Sequence, residues 1–211
     1  MKVALFALAL LASPVSAQEI DPNPPAGNYR LELAHGRLTF KVNHLGFSTY
    51  TAFFRDFAAD LRFDPAAPAQ MQVRAVVQAG SVETLYPDPA LDFNAVIAGA
   101  EFLDAAQFPE ITFQSTAIAL TGDRRAAVTG DLTLHGVTRP VTLDVTYNGG
   151  WAGHPMDPGG ARVGFSATGS LRRSEFGMGF GLPAPGSRLG VGDVVKIEIE
   201  AEFTNPDAPK P

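Results

Sequence analysis

The chain has 211 residues, a formal net charge of −6, 45% hydrophobic residues and no cysteine. That charge argues against nucleic acid as a partner, since a phosphate backbone calls for a basic face. Without cysteine there are no disulfides, thiolate metal sites, cysteine nucleophiles or lipid-modified N-terminal cysteine, so the core must hold by burial alone.

Residues 1–17 carry Lys2, an unbroken apolar run over 3–12 and small residues at Val15 and Ala17. This is the pattern of a secretory signal peptide cut after Ala17, and the run is too short for a membrane-spanning helix. Removing 17 residues leaves 194 and, with Lys2 gone, a charge of −7. That length suits one domain. The proline-rich stretch 18–27 reads as an extended arm and 205–211 as a matching tail, with the domain over 28–204 between them.

Within the domain, period-two alternation recurs. Tyr29, Leu31 and Leu33 alternate with Arg30 and Glu32; Leu38, Phe40 and Val42 with Thr39 and Lys41; Val128, Leu132 and Leu134 with Thr129, Asp131 and Thr133. The pattern returns at Val141, Leu143, Val145 and Tyr147, and again at Ile197, Ile199, Ala201 and Phe203, whose partners Lys196, Glu198, Glu200 and Glu202 form a charged outer face. Further strands are expected over 50–63, 71–79, 110–120 and 161–172. Eight or nine strands, each with one dry face, define an all-β sandwich or barrel. The adjacent Phe53 and Phe54 put apolar groups on both faces of their strand. The segment 88–109 breaks the pattern: Asp88 and Pro89 suit a helix start, Leu91, Ala95, Ala98 and Phe102 fall at helical spacing, Gly99 interrupts, and Pro109 ends it. Two short helices are expected there, closing one end of a barrel or packing on its outside.

Chemistry-bearing residues are sparse. His135 lies in "LHGVTRP" between two alternating strands, where Gly136 can take positive φ, so it reads as a hairpin corner rather than a catalytic base. His35 and His44 flank one strand and stand about 30 Å apart if it is extended, too far to share a metal with each other. No HExxH and no GxSxG occurs, so the sequence supports neither a metal site nor a hydrolase elbow. The glycine-rich stretch 171–193, "LRRSEFGMGFGLPAPGSRLGVGD", is either a flexible loop or a nest whose N–H groups, with Arg172 or Arg173, meet an anion. Finally, the 15 phenylalanines against one tryptophan and four tyrosines either fill a core or line a void inside a small barrel.

Several of these segments, "HGRLTFKVNHLGFS", "SVETLYPDP", "AEFLDAAQFPEITFQST", "VTGDLTLHGVTRPVTLDV" and "VGFSATGSLRRSEFGM", occur in the order and spacing of one family. From about residue 27 to 203 the chain resembles the YceI-like, polyisoprenoid-binding proteins of bacteria. The resemblance implies an extended, antiparallel, lipocalin-like β-barrel of about eight strands with a short helical insert. It implies export to the periplasm and a non-enzymatic role in binding or transporting an isoprenoid lipid, such as a polyprenyl phosphate or a ubiquinone-type chain, in an apolar tunnel. No catalytic cofactor or metal is expected, and a homodimer is left open. On this reading Phe40, Val42, Phe47, Phe57, Phe102, Phe113, Leu134 and Phe165 line the tunnel, and Arg172 and Arg173 lie near a mouth as head-group candidates. The chain departs from the family pattern at Ala52, where glycine is common, and around Asn94 and Ala95, where the helix is more apolar than usual. The alternatives are an enzyme acting on a lipid or quinone-like substrate through His135, Arg173 and Glu175, and a ligand-free, stress-response interaction protein with a filled barrel.

Overall fold

The computed structural model describes residues 23–154 and 156–208. The expected signal peptide, residues 18–22 of the arm and residues 209–211 of the tail lie outside the described residues. Eleven strands follow in order: β1 (Gly27–Leu31), β2 (Arg37–His44), β3 (Ser48–Phe54), β4 (Phe57–Phe63), β5 (Gln72–Gln78), β6 (Val82–Glu83), β7 (Glu110–Gly122), β8 (Arg125–Leu134), β9 (Val137–Trp151), β10 (Ala161–Arg172) and β11 (Val191–Asn205).

Pairing runs β1-β4-β5-β7-β8-β9-β10-β11 and returns from β11 to β1, so eight antiparallel strands close a barrel. Closure leaves the ring no free edge. The long β11 carries both β1, at Phe203 and Thr204, and β2, from Glu200 to Val191. β1 and β2 are therefore two halves of one wall, broken at 32–36. β3 pairs with β2 as β4 pairs with β1, and β6 adds to β3.

The single strand expected over 50–63 is two strands. A bend at Arg55 and Asp56 separates them, and the inward parity switches there: Tyr50, Ala52 and Phe54 point inward before it, Phe57, Ala59, Leu61 and Phe63 after it. A bulge between Ser115 and Ala117 does the same for β7, placing Ile111 and Phe113 and then Ile118 and Leu120 on the inner face. Without these offsets half of each strand would turn its apolar face to water.

The antiparallel register defines two ends. The β8–β9 turn, the β2–β3 turn, the loop 177–190 and the insert 84–109 gather at one, here called upper. The β7–β8 turn and the β4–β5 connection form the lower. The insert holds one α-helix, α1 (Phe93–Ala98), not the two expected, and Asp92 caps it by accepting from Ala95 N at 3.0 Å. Asp88 instead holds the preceding turn through Ala90 N at 2.9 Å. Beyond Gly99 the chain closes into turns around Asp104, which takes φ 44°.

Core packing divides in three. Tyr29, Leu61, Phe63, Val163 and Phe203 pack in the lower half. Leu132, Leu134, Val141, Phe176 and Met178 pack beneath the β8–β9 turn, and Phe54, Phe57, Val77 and Val82 pack under the insert. What lies between these clusters is empty.

Candidate functional site

The inner face encloses a cavity of about 1260 Å³, larger than the roughly 300–1,000 Å³ of most small-molecule sites. Along β11 alone its lining runs from Val191 to Phe203. Twelve residues at about 3.3 Å each, on a strand tilted by about 40°, make a void roughly 30 Å long.

The middle is apolar because the inward parity of every long strand is apolar. Val195, Ile197, Ile199 and Ala201 face in from β11, and Val141, Leu143, Val145 and Tyr147 from β9. Aromatic rings meet edge-on or tilted across it: Phe40 with Phe54 at 5.4 Å, Tyr147 with Phe165 at 5.4 Å, and Phe165 with Phe203 at 6.1 Å. Polar lining side chains collect toward the ends, with His44, Thr84, Glu101 and Arg173 above and Gln72, Asp123, Arg124 and Arg125 below. Such a tube can hold a long apolar chain, with its few polar contacts at the ends.

Seven of the eight residues expected to line it do so: Phe40, Val42, Phe57, Phe102, Phe113, Leu134 and Phe165. Phe47 does not. It ends the β2–β3 turn, where Leu45 and Gly46 take φ of 54° and 75°, and its side chain is 83% exposed. The resemblance had placed it inside, but β2 ends at His44 and the turn carries Phe47 out to the surface. Phe53 lies off the cavity while Phe54 lines it, so the two rings face opposite ways.

The two arginines part company. Arg172 is exposed and pairs with Asp193 at 3.3 Å, away from the lining. Arg173 is 5% exposed and reaches the cavity, but four of its five N–H donors are taken: Nε bonds Gly192 O at 3.0 Å, Nη1 bonds Met178 O at 3.1 Å and Phe180 O at 2.8 Å, and Nη2 bonds Val191 O at 2.9 Å. The glycine-rich loop thus turns carbonyls toward a buried cation, the reverse of an anion nest. Burial pushes the Arg173 pKa down, and the nearby Asp193 charge pushes it back. Asp193 is itself pushed up by burial, but hydrogen bonds from Ser174 and Arg172 outweigh this and hold its carboxyl below its ordinary pKa.

His135 and Gly136 form a two-residue hairpin turn with φ of 52° and 73° between the paired Leu134 and Val137. This is the positive-φ pair of a type I′ turn. His135 Nδ1 lies 3.1 Å from Phe176 O, and the ring packs on Phe108 at 4.9 Å. It is the corner of a hairpin and a strut for the Arg173 turn. His35 meets no other histidine in its cluster; it meets Glu32 and Glu202, and Arg162 ties both carboxylates to Asp157 in a surface ion network.

Of the insert, sequence reasoning named only Phe102 as lining and missed others. Tyr86, Phe93, Val96 and Ile97 line the upper cavity. Phe93 packs on Tyr50 at 6.0 Å and on Tyr86 at 4.9 Å. Asn94, at one of the positions that departs from the family pattern, is a hub: its Oδ1 accepts from Thr84 N at 2.8 Å and Thr84 Oγ1 at 2.6 Å, and its Nδ2 donates to Glu83 Oε1 at 3.2 Å. The aromatic spacing of the insert was a readable signal; the hub was not, since it joins a strand end to a helix across ten residues.

A closed eight-stranded antiparallel barrel around a long apolar void is the architecture of the lipocalin-like barrels. The YceI-like domain matches residues 29–203, and the chain belongs to that family. A UPF0312 protein of Pseudomonas putida strain W619 is 37% identical over 181 residues, covering 84% of this chain and 88% of that one. Among solved structures, Burkholderia cenocepacia BcnA superposes with a TM-score of 0.68 at 27% identity, over 82% of this chain and 98% of that one. A polyisoprenoid binding domain from Saccharophagus degradans, implicated in plant cell wall breakdown, superposes with a TM-score of 0.58 at 13% identity, over 86% of this chain and 98% of that one, a likeness of fold.

Proposed function

We propose that this protein is a non-enzymatic binding or carrier protein for a long isoprenoid lipid, exported to the periplasm. The observation that carries this is the void itself: about 1260 Å³, roughly 30 Å long and apolar through its middle. The fold it shares with a polyisoprenoid binding domain supports the same choice of ligand. Each CH₂ removed from water is worth about 0.8 kcal/mol, so a few isoprene units offset the ordering of a flexible chain. The head group, a polyprenyl phosphate or a quinone ring, then stays at a polar end. At the upper end the charge of Arg173 acts on it mainly as a field, since most of that side chain's donors are committed.

The enzymatic reading finds less support, because His135 and Arg173 direct their polar atoms at backbone carbonyls.

The test is organic extraction of protein purified from its native periplasm, followed by mass spectrometry. A stoichiometric species with isoprene mass spacing is expected. Phe113→Trp and Phe165→Trp should lower uptake of that species while the β-sheet circular dichroism stays unchanged. Recovery of bulk phospholipid alone from folded protein would overturn the assignment.

A further inference from the structure

Apolar side chains at the surface are not spread evenly. Among the described residues, most of the large exposed ones stand at the upper end. Phe47 (83% exposed) tips the β2–β3 turn, Leu189 (72%) tips the loop before β11, and Leu85 (74%) tips the insert. The first two tips are tied together: Leu45 N donates to Gly190 O at 2.9 Å, and the Arg188 side chain lies against Gly46. The insert joins them through Phe102, whose ring meets Phe180 at 5.3 Å.

This crown surrounds the cavity's mouth. Tyr86 (42%), Val96 (38%) and Phe180 (49%) are at once exposed and part of the cavity lining, so the void reaches the surface between them. The lower end differs: its exposed lining residue Leu120 (58%) sits beside Asp123, Arg124 and Arg125.

Leu85 is held outward by construction. It sits at φ 52°, a conformation bulky residues avoid. Its N–H donates to Glu83 Oε1 at 2.9 Å, within the Glu83–Asn94–Thr84 network that fixes the turn. Backbone strain is here held in place to display an apolar side chain to the outside.

Charge selects the occupant. The tips 44–48 and 177–192 contain no carboxylate in a chain of net charge −6, and the formal charge they hold is Arg188. Among the described residues Arg188 is exposed and forms no ion pair. The insert carries carboxylates of its own, Asp88 and Asp92, which accept local backbone hydrogen bonds, Asp104, and Glu101 at the cavity mouth, so the cationic contact is confined to the Phe47 and Leu189 tips. Apolar tips on separate loops with one unpaired guanidinium between them match an acyl layer beneath a plane of phosphates.

We propose that the crown docks on a phospholipid bilayer, Phe47, Leu85 and Leu189 entering the acyl boundary and Arg188 meeting lipid phosphate, so that the cavity mouth opens onto the membrane. The proposal rests on the lipid-binding reading and adds where the ligand enters and leaves.

The test uses the exported protein, its N-terminus checked by mass spectrometry, and vesicles of phosphatidylethanolamine and phosphatidylglycerol. Wild type should float with the vesicles, and Phe47→Trp should shift its emission to the blue on mixing. F47S/L189S should lower partitioning at least tenfold, Arg188→Glu should weaken it and reduce its salt dependence, and Met156→Ser, at a residue 85% exposed between β9 and β10 at the other end and off the cavity lining, should leave partitioning unchanged. Absence of flotation together with an unshifted tryptophan, or equal losses in Met156→Ser and F47S/L189S, would overturn the docking surface. Uptake of the isoprenoid from detergent micelles separates the two readings: if docking alone is wrong, wild type and F47S/L189S both take it up without binding vesicles. If the cavity reading is wrong, no form takes it up.

Discussion

Replacing Arg173 with methionine removes four hydrogen bonds at once, those to the carbonyls of Met178, Phe180, Val191 and Gly192, and keeps most of the side chain's volume. The bond to Met178 O is fully buried and the other three partly so. At about 1.5 kcal/mol for the first and about 0.5–0.8 kcal/mol for each of the rest, the loss is about 3–4 kcal/mol. For a chain of this size that lowers Tm by roughly 6–16 °C. Because the carbonyls all belong to the loop 177–192 or its junction with β11, the damage should begin there, with the loop detaching before the barrel opens. Thermal melts by circular dichroism measure the first effect and limited proteolysis with mapping of the cut sites the second. Arg173→Lys should fall between, since one ammonium has three donors and cannot span carbonyls on both sides of the loop. A Tm drop of less than about 2 °C in Arg173→Met, with no new cleavage between 177 and 192, would show that the guanidinium does not hold the loop.

Gly130 offers a second test. A Cβ there would lie 2.4 Å from the Phe113 ring and 2.6 Å from Gln114 O. Gly130→Ala should therefore cost about 1–3 kcal/mol in urea unfolding and reduce lipid uptake by displacing Phe113 into the cavity. At acid pH, Arg162 holds the Asp157 carboxyl below its ordinary pKa, against the opposing effect of burial. Its contribution to stability is present above the unfolded value and is lost as pH falls through the depressed folded value. Asp157→Asn should thus be less stable than wild type at neutral pH and converge with it as pH falls below the ordinary aspartate value of about 3.9, as melts over a descending pH series would show. At alkaline pH, burial pushes Tyr29 up to about 12, with Tyr147 nearby adding to it, and burial raises Tyr147 as well. The unfolded chain loses these protons first, so stability should fall as pH rises from about 10 toward 12. Ultraviolet titration should find Tyr29 and Tyr147 lagging behind a free tyrosine, and the lag should vanish in denaturant.

Much of the candidate site could be read from the chain because strand alternation commits each side chain to a face. Phe40, Val42, Phe113, Leu134 and Phe165 sit on strands whose opposite parity is polar, and all five face the cavity. The reading failed where that rule stops. Phe47 lies one residue past a two-residue positive-φ turn, and the parity of its strand no longer binds it. Arg173 was legible as a cation near a mouth, but its partners are carbonyls 5 to 19 residues away, brought to it by the return of β11.

Composition and alternation by themselves determined an all-β, cysteine-free chain with a dry inner face, a helical interruption before residue 110 and a hairpin corner at His135. Each follows from local geometry: a two-residue side-chain period, the φ a residue tolerates, and the residue types present. The tertiary structure alone decided that the ring closes through β1 and β11, that bends at 55–56 and 115–117 shift the inward parity, and that the phenylalanines border a void instead of filling it. These depend on strand register between segments far apart in sequence. A void in particular is what remains after every neighbour has been placed, and no single stretch of sequence encodes it.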